Sequence, residues 1–328
     1  MPRLTACILK TIILITCLAF ITADNARAES GAQTVNEYID LVASGNYESA
    51  VQYWTEDSQE RAVRFGIEYF DVPLKIDCAS PIVRNPGLAI GLPPNPIHSE
   101  TKMEPTQYKR YTFERTAGGE TLTHYYYAHL IDRYHWLMFP QDYYSLDWPV
   151  KQTRYFDLRY QQEAERFLNP VMLEEADRFI EKLAGEIGLS YEDLQLLEKE
   201  KIRYFFSGSD QTVYYITGHR TKGTYDLASD DIISAFFPHY HELTHFMINF
   251  KLRKLALYTV PLFREGAAVH FGGRWGKSPR SMATLGGYLY KEGVVWLDSI
   301  LTMSDFEKSA GSDLGYPVAG LFVGSVSY

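Results

Sequence analysis

The run His241-Glu242-Leu243-Thr244-His245 places two imidazoles four residues apart with a carboxylate between them, the HExxH spacing. In a helix, residues four apart share a face, so both rings can reach a single ion. Glu242 is turned about 100° from His241, and so can stand beside that ion without binding it. A carboxylate there can take a proton from water and later deliver one to a leaving group. Phe237, Tyr240, Leu243, Met247 and Phe250 spread apolar side chains around several faces of the same stretch, which predicts a buried helix. Buried histidine and glutamate are costly without partners, and a divalent metal is such a partner.

A second segment, Pro261-Leu262-Phe263-Arg264-Glu265-Gly266-Ala267-Ala268, follows with 19 residues between His245 and Glu265. A catalytic zinc site takes three protein ligands and keeps one position open. Glu265 on a second helix completes that set. Pro261 is expected to start the helix and Gly272-Gly273 to end it. Gly266 is expected to let the two helices approach closely. The alternatives are two structural histidines and a solvent-facing Glu265. His239 and His270 lie near the motifs and read as packing or supporting residues.

Together, the two segments resemble the gluzincin peptidases, the group that includes thermolysin and aminopeptidase N. The spacing is the thermolysin one, while Glu265-Gly266-Ala267-Ala268 is closer in wording to aminopeptidase N. The resemblance covers about Ile202 to Tyr328. It implies that His241, His245 and Glu265 bind Zn²⁺ and that Glu242 is the general base. It also implies a twisted sheet with the active-site helix beneath it and a helical second lobe. Tyr316-Pro317-Val318-Ala319-Gly320 is similar to the aminopeptidase segment whose tyrosine lies near the oxyanion. That similarity makes Tyr316 a candidate hydrogen-bond donor to a tetrahedral intermediate. Thermolysin relatives carry an Asp four residues after the ligand Glu, where this chain has Val269, so another group must orient the ligand histidine. The Gly-Ala-Met-Glu-Asn strand of aminopeptidase N, which anchors a free amino terminus, is absent. The chain stops soon after Tyr316, so the last lobe is expected to be small or the sequence to continue. The function implied is an exported zinc metallopeptidase acting on a peptide or protein substrate. Two alternatives stand beside it: a catalytically inactive zinc-binding peptidase fold that acts as a binding module, and metal-assisted hydrolysis of something other than peptide.

The elements that must position these residues are expected to form an α+β chain with two domains, 29–150 and 151–328. From Val35 to about Phe70, apolar residues recur at helical spacing (Tyr38, Leu41, Val42, Ala50, Tyr53, Trp54). Pro81 to Pro105 reads as a long loop. Tyr108–Arg115 and Leu122–Ile131 read as strands joined at Gly118-Gly119, with Tyr134–Phe139 as a third. Helices followed by an antiparallel sheet weakly resemble the cone-shaped folds of the nuclear transport factor 2 type. In the second domain, Asn169-Pro170 starts a helix that Gly185 or Gly188 ends. Ile202–Phe206 and Thr212–Thr217 read as strands, Gly218–Asp231 as a polar loop and Ile232–Ala235 as a last short strand. Tyr125-Tyr126-Tyr127 and Tyr214-Tyr215 are taken as strand residues. From Phe236 onward the chain reads as helical, with further starts at Ser278-Pro279 and at Ser304-Asp305-Phe306-Glu307.

Composition bounds the partners. With 46% hydrophobic and 22% charged residues, the 328-residue chain is an ordinary globular one. A net charge of −9 without a Lys/Arg-rich run argues against a nucleic-acid partner. Arg3 and Lys10, the uncharged stretch Thr11 to Ala23, and Ala26-Arg27-Ala28 read as a signal peptide over 1–28. The apolar run is short for a membrane span, so the mature chain is expected to be secreted or periplasmic, with no stable span. An uncleaved anchor and a lipoprotein site at Cys17 are the alternatives. Of three cysteines, Cys7 and Cys17 lie in that segment, which leaves Cys78 unable to form an internal disulfide and rules out a thiolate metal cage. Cys78 is expected to be buried and inert rather than a catalytic thiol.

Overall fold

The computed structural model describes residues 30–328 apart from 258, 311–312 and 327–328. The expected signal peptide lies outside the described residues. The chain is mixed α and β and divides into two compact units. One takes the chain up to Gln59 together with Ala79–Tyr143; the other takes Glu60–Cys78 and Tyr144–Tyr328. The division therefore falls at 143/144 rather than at 150/151, and it gives 60–78 to the second unit. Long-range pairing accounts for the return. Arg61 and Arg64 reach Asp231, Lys75 reaches Asp230, Phe65 packs edge-on against Phe246 and Phe250, and Glu68–Tyr69 pairs in parallel with Lys254–Leu255. Cys78 is buried, as expected.

In the first unit, the helix Gly31–Ala43 is capped by Ser30, whose hydroxyl accepts from the Gln33 N–H, and it buries Val35, Tyr38, Ile39 and Val42 on one face. The single helical stretch expected up to Phe70 is instead Gly31–Ala43, Tyr47–Val51 and Glu56–Val63. The first break comes where Gly45 turns to φ 76° and the Asn46 side chain caps the next helix. A four-stranded antiparallel sheet follows in the order Ile97–Lys102, Tyr108–Ala117, Glu120–Ile131, Tyr134–Met138. Gly118 and Gly119, both at positive φ, make the predicted hairpin. Its first strand, and the short turns Pro81–Arg84 and Pro86–Ala89, occupy the stretch read as loop.

The second unit is built on a five-stranded sheet in the order Val150–Gln152, Phe156–Tyr160, Ile202–Phe206, Asp231–Ser234, Gly223–Asp226. The three inner strands are parallel and the two edges antiparallel. Ile202–Phe206 is buried at every position, as a central strand covered on both faces should be. Asn169 caps the helix Pro170–Ile187, and Gly188 ends it. Asp210–Thr217 is a helix, not the expected strand: Val213 and Ile216, three apart, are buried, while Tyr214 and Tyr215 face solvent. Gly223–Asp226 is an edge strand inside the stretch read as polar loop. Past the metal-motif helices, Pro279–Lys291, Met303–Ala310 and Gly315–Val326 close on a core of Leu262, Leu289, Ile300, Phe306 and Val318. Thr302, rather than Ser304, caps the middle one: its hydroxyl accepts from the Asp305 N–H.

Candidate metal centre

The HExxH helix runs Tyr240–Leu252 and buries His241, Leu243, Thr244, Phe246, Met247 and Phe250. The residues of its apolar wrap that sequence periodicity picked out are thus largely inside. The Glu265 helix runs Pro261–Gly272, starting at Pro261 and ending against Gly273 as the sequence predicts. The two helices cross closely at Gly272, where a Cβ would lie 2.5 Å from the Tyr240 carbonyl oxygen. Gly266 does a different job from the one expected. It faces the last helix, where a Cβ would lie 2.6 Å from the Ala319 carbonyl oxygen.

This packing brings His241, His245 and Glu265 together. Glu265 Oε2 lies 3.3 Å from His241 Nε2 and 3.4 Å from His245 Nε2. All three donor atoms fall within 4.8 Å of one another. Zinc–donor bonds of about 2.0–2.1 Å at tetrahedral angles place donors about 3.3–3.4 Å apart, so the two distances to Glu265 match the edges of such a site. Neutral imidazole nitrogens and a carboxylate are also donors suited to zinc. The group could therefore hold a metal ion.

Three further contacts tune the donors. His241 Nδ1 lies 3.2 Å from the Gly273 carbonyl oxygen. Donation there puts the proton on Nδ1 and leaves the Nε2 lone pair for the ion. That backbone carbonyl fills the orienting role left open by Val269, which is fully buried in packing. Arg264 Nε donates to Glu265 Oε1 at 2.9 Å, so the carboxylate is gripped by one oxygen and presents the other. Burial opposes the charge on Glu265, but His245 and His241 outweigh it and hold its pKa well below the usual carboxylate range.

Glu242 stands beside the triad and outside it. Its Oε2 accepts the backbone N–H of Tyr225, on the edge strand, at 2.9 Å. Burial, with help from Glu265, pushes its pKa up to about 7 against the opposing pull of His241, the Tyr225 N–H and Arg274. A carboxyl so poised can exchange a proton near neutrality.

Tyr316 opens the last helix, with its ring centroid 6.4 Å from that of His241 and 5.0 Å from that of Phe306. Burial raises its pKa, which keeps the phenol a donor at neutral pH. Arg274 covers that ring, its guanidinium carbon 3.3 Å from the centroid. His239 is not a ligand. Its Nδ1 sits 3.0 Å from Ser234 Oγ, and burial, with His241 and Arg274, lowers its pKa to about 3, so it is neutral. His270 packs against Phe271 and the last helix near Gly324, apart from the triad.

Sequence reasoning missed the Gly273 carbonyl, the Tyr225 N–H, Arg264 and Arg274. The first two are backbone groups that carry no residue signal. Arg264 could have been found, since it adjoins Glu265. Comparison of the chain with protein-family models, with curated proteins and with solved structures finds no match in any of the three.

Proposed function

We propose that this protein is an exported zinc metallopeptidase of gluzincin type, which cleaves peptide bonds with Glu242 as general base. The observation that carries the reading is the convergence of His241 Nε2, His245 Nε2 and Glu265 Oε2, with Glu242 adjacent and held away by Tyr225. A metal site that served only to brace the fold would have no use for a carboxyl poised to exchange protons beside it. The reading is further supported by a sheet with an antiparallel edge strand, the HExxH helix next to it and the helices that follow.

Zinc in this site would polarise a substrate carbonyl and make water a better nucleophile. Glu242 Oε2 is engaged by the Tyr225 N–H, so Oε1 is the atom that takes the water's proton. The same carboxylic acid then returns that proton to the departing amine nitrogen. The Tyr316 phenol donates toward the oxygen that becomes negative as the carbonyl is attacked. The Gly273 carbonyl holds His241 in one tautomer throughout.

The test is elemental analysis of the purified protein, then cleavage of a peptide library with and without a chelator. Zinc near one equivalent, chelator-sensitive cleavage, and a Glu242→Gln protein that keeps zinc but loses hydrolysis are expected. Stoichiometric zinc with no cleavage of any peptide would replace this reading with the binding-module one. A Glu242→Gln protein that cleaves at the wild-type rate would remove Glu242 from the mechanism.

A further inference from the structure

In a chain of net charge −9, the metal centre is nonetheless flanked by two guanidinium groups, Arg264 and Arg274. They are not equivalent. Arg264 is committed to the ligand Glu265 through Nε. Arg274 is held by a tight turn in which its N–H bonds the Lys277 carbonyl at 3.2 Å and the Lys277 N–H bonds its own carbonyl at 2.8 Å. Gly273, Trp275 and Gly276 in that turn take φ 73°, 51° and 69°. The turn that aims the Gly273 carbonyl at His241 therefore also lays Arg274 over the Tyr316 ring.

Among the described residues, Arg274 has no buried anion opposite it. Elsewhere in this unit, Arg61 and Arg64 are opposed by Asp231, whose side chain is 0% exposed. Among the described residues, Arg274 reaches only Asp313, at 3.2 Å, whose side chain is 51% exposed. Its Nε is buried and has no acceptor among the described residues. Stacking on an aromatic face fixes the plane of a guanidinium and leaves its edge donors free for a carboxylate, which it binds as a fork.

We propose that Arg274 is the docking group for a carboxylate on the substrate, displacing Asp313, so that the preferred peptides carry a carboxylate close to the scissile bond. This rests on the peptidase reading and names its substrate class. By way of the Tyr316 ring, the guanidinium lies within about 10 Å of the His241 ring, a reach of about three extended residues at roughly 3.3 Å each. The carboxylate belongs either to a free C-terminus or to an Asp or Glu side chain, and matched peptides separate the two.

The experiment uses the full chain loaded with zinc and hexapeptides in pairs: free acid against C-terminal amide, and acidic side chain against its Asn or Gln counterpart. Removing the carboxylate that docks is expected to raise KM by about 10- to 100-fold, the range of one charge-assisted pair. Arg274→Met erases that difference, and Arg274→Lys restores part of it. Asp313→Asn, tolerated at its φ of 58°, removes the competing anion and lowers KM for the carboxylate peptide several-fold. A purely structural Arg274–Asp313 pair would instead weaken both peptides in either variant. Calorimetric binding of the same pairs to Glu242→Gln gives a readout independent of turnover. Equal binding, or no binding, within both pairs overturns the proposal. Preferential binding without any cleavage by wild type would overturn the peptidase reading and leave the docking group standing.

Discussion

Replacing Asp231 with leucine removes the anion that faces two guanidiniums inside the second unit. Arg61 Nη1 lies 3.2 Å and Arg64 Nη2 2.9 Å from its oxygens, with side chains 5% and 7% exposed. Burial already lowers the pKa of Arg64, and Asp231 is the first of the charges that oppose this. Breaking a buried pair by deleting one partner strands the other charge and costs about 3–5 kcal/mol. For a unit of this size that corresponds to a melting point lower by roughly 6–20 °C. The assay is thermal and urea unfolding of Asp231→Leu beside Arg154→Met. Arg154 pairs with Glu181 and Glu198 in the open, with about half of each side chain exposed, and its loss is expected to leave the midpoint close to wild type. The triple replacement Arg61→Met, Arg64→Met, Asp231→Leu should recover part of the loss. Recovery stays incomplete because Arg64 also donates to the carbonyls of Ser229 and Asp230. An Asp231→Leu protein no less stable than the Arg154 variant would refute the account of how 60–78 joins this unit.

Gly273→Ala is expected to weaken zinc binding by about 10- to 100-fold, the usual effect of disturbing the group that orients a ligand histidine. The residue sits at φ 73° with a Cβ position 2.1 Å from the Lys277 carbonyl oxygen, so the turn must shift. Competition with a chromophoric chelator measures the change, and unaltered affinity would count against the Gly273–His241 contact. In metal-free protein, the Glu242 carboxyl is expected to titrate near the value of about 7 that its burial sets. Zinc loading brings two positive charges beside it and favours the ionised form, so the midpoint moves down. Infrared difference spectra of the carboxyl band, with Glu242→Gln as blank, would show it, and an upward shift on loading would be the wrong sign.

The triad was legible because helical spacing and a Pro start are local signals: His241 and His245 lie one turn apart, and Pro261 fixes the phase of the helix that carries Glu265. The groups that tune the triad were not, for two reasons. The Gly273 carbonyl and the Tyr225 N–H are common to any residue type. Arg274 acquires its place from a turn with positive φ at Gly273, Trp275 and Gly276, only two of which are glycines. Fold legibility failed in the same manner. Gly223–Asp226 has no apolar alternation to mark it, and its pairing partner Asp231–Ser234 is what makes it a strand. In 210–217, the β-forming character of Tyr214-Tyr215 concealed the three-residue spacing of Val213 and Ile216. The contacts of Arg61 and Arg64 span 170 and 167 positions, beyond the reach of any window along the chain.

The path of the chain through the two units bears on how the protein can be cut and how it is made. A fragment beginning at Tyr144 would carry both motif helices yet lack 60–78. Asp230 would lose Lys75, Asp231 would lose both its arginines, and Phe246 and Phe250 would lose Phe65. Inactivity of such a piece would report a missing brace rather than a role for the leading residues in the reaction. On the ribosome, the same order means that 60–78 emerges early and must wait while everything from Ala79 to Leu255 is synthesised. A chaperone that shields Phe65 and the basic side chains during that interval would have a direct bearing on yield.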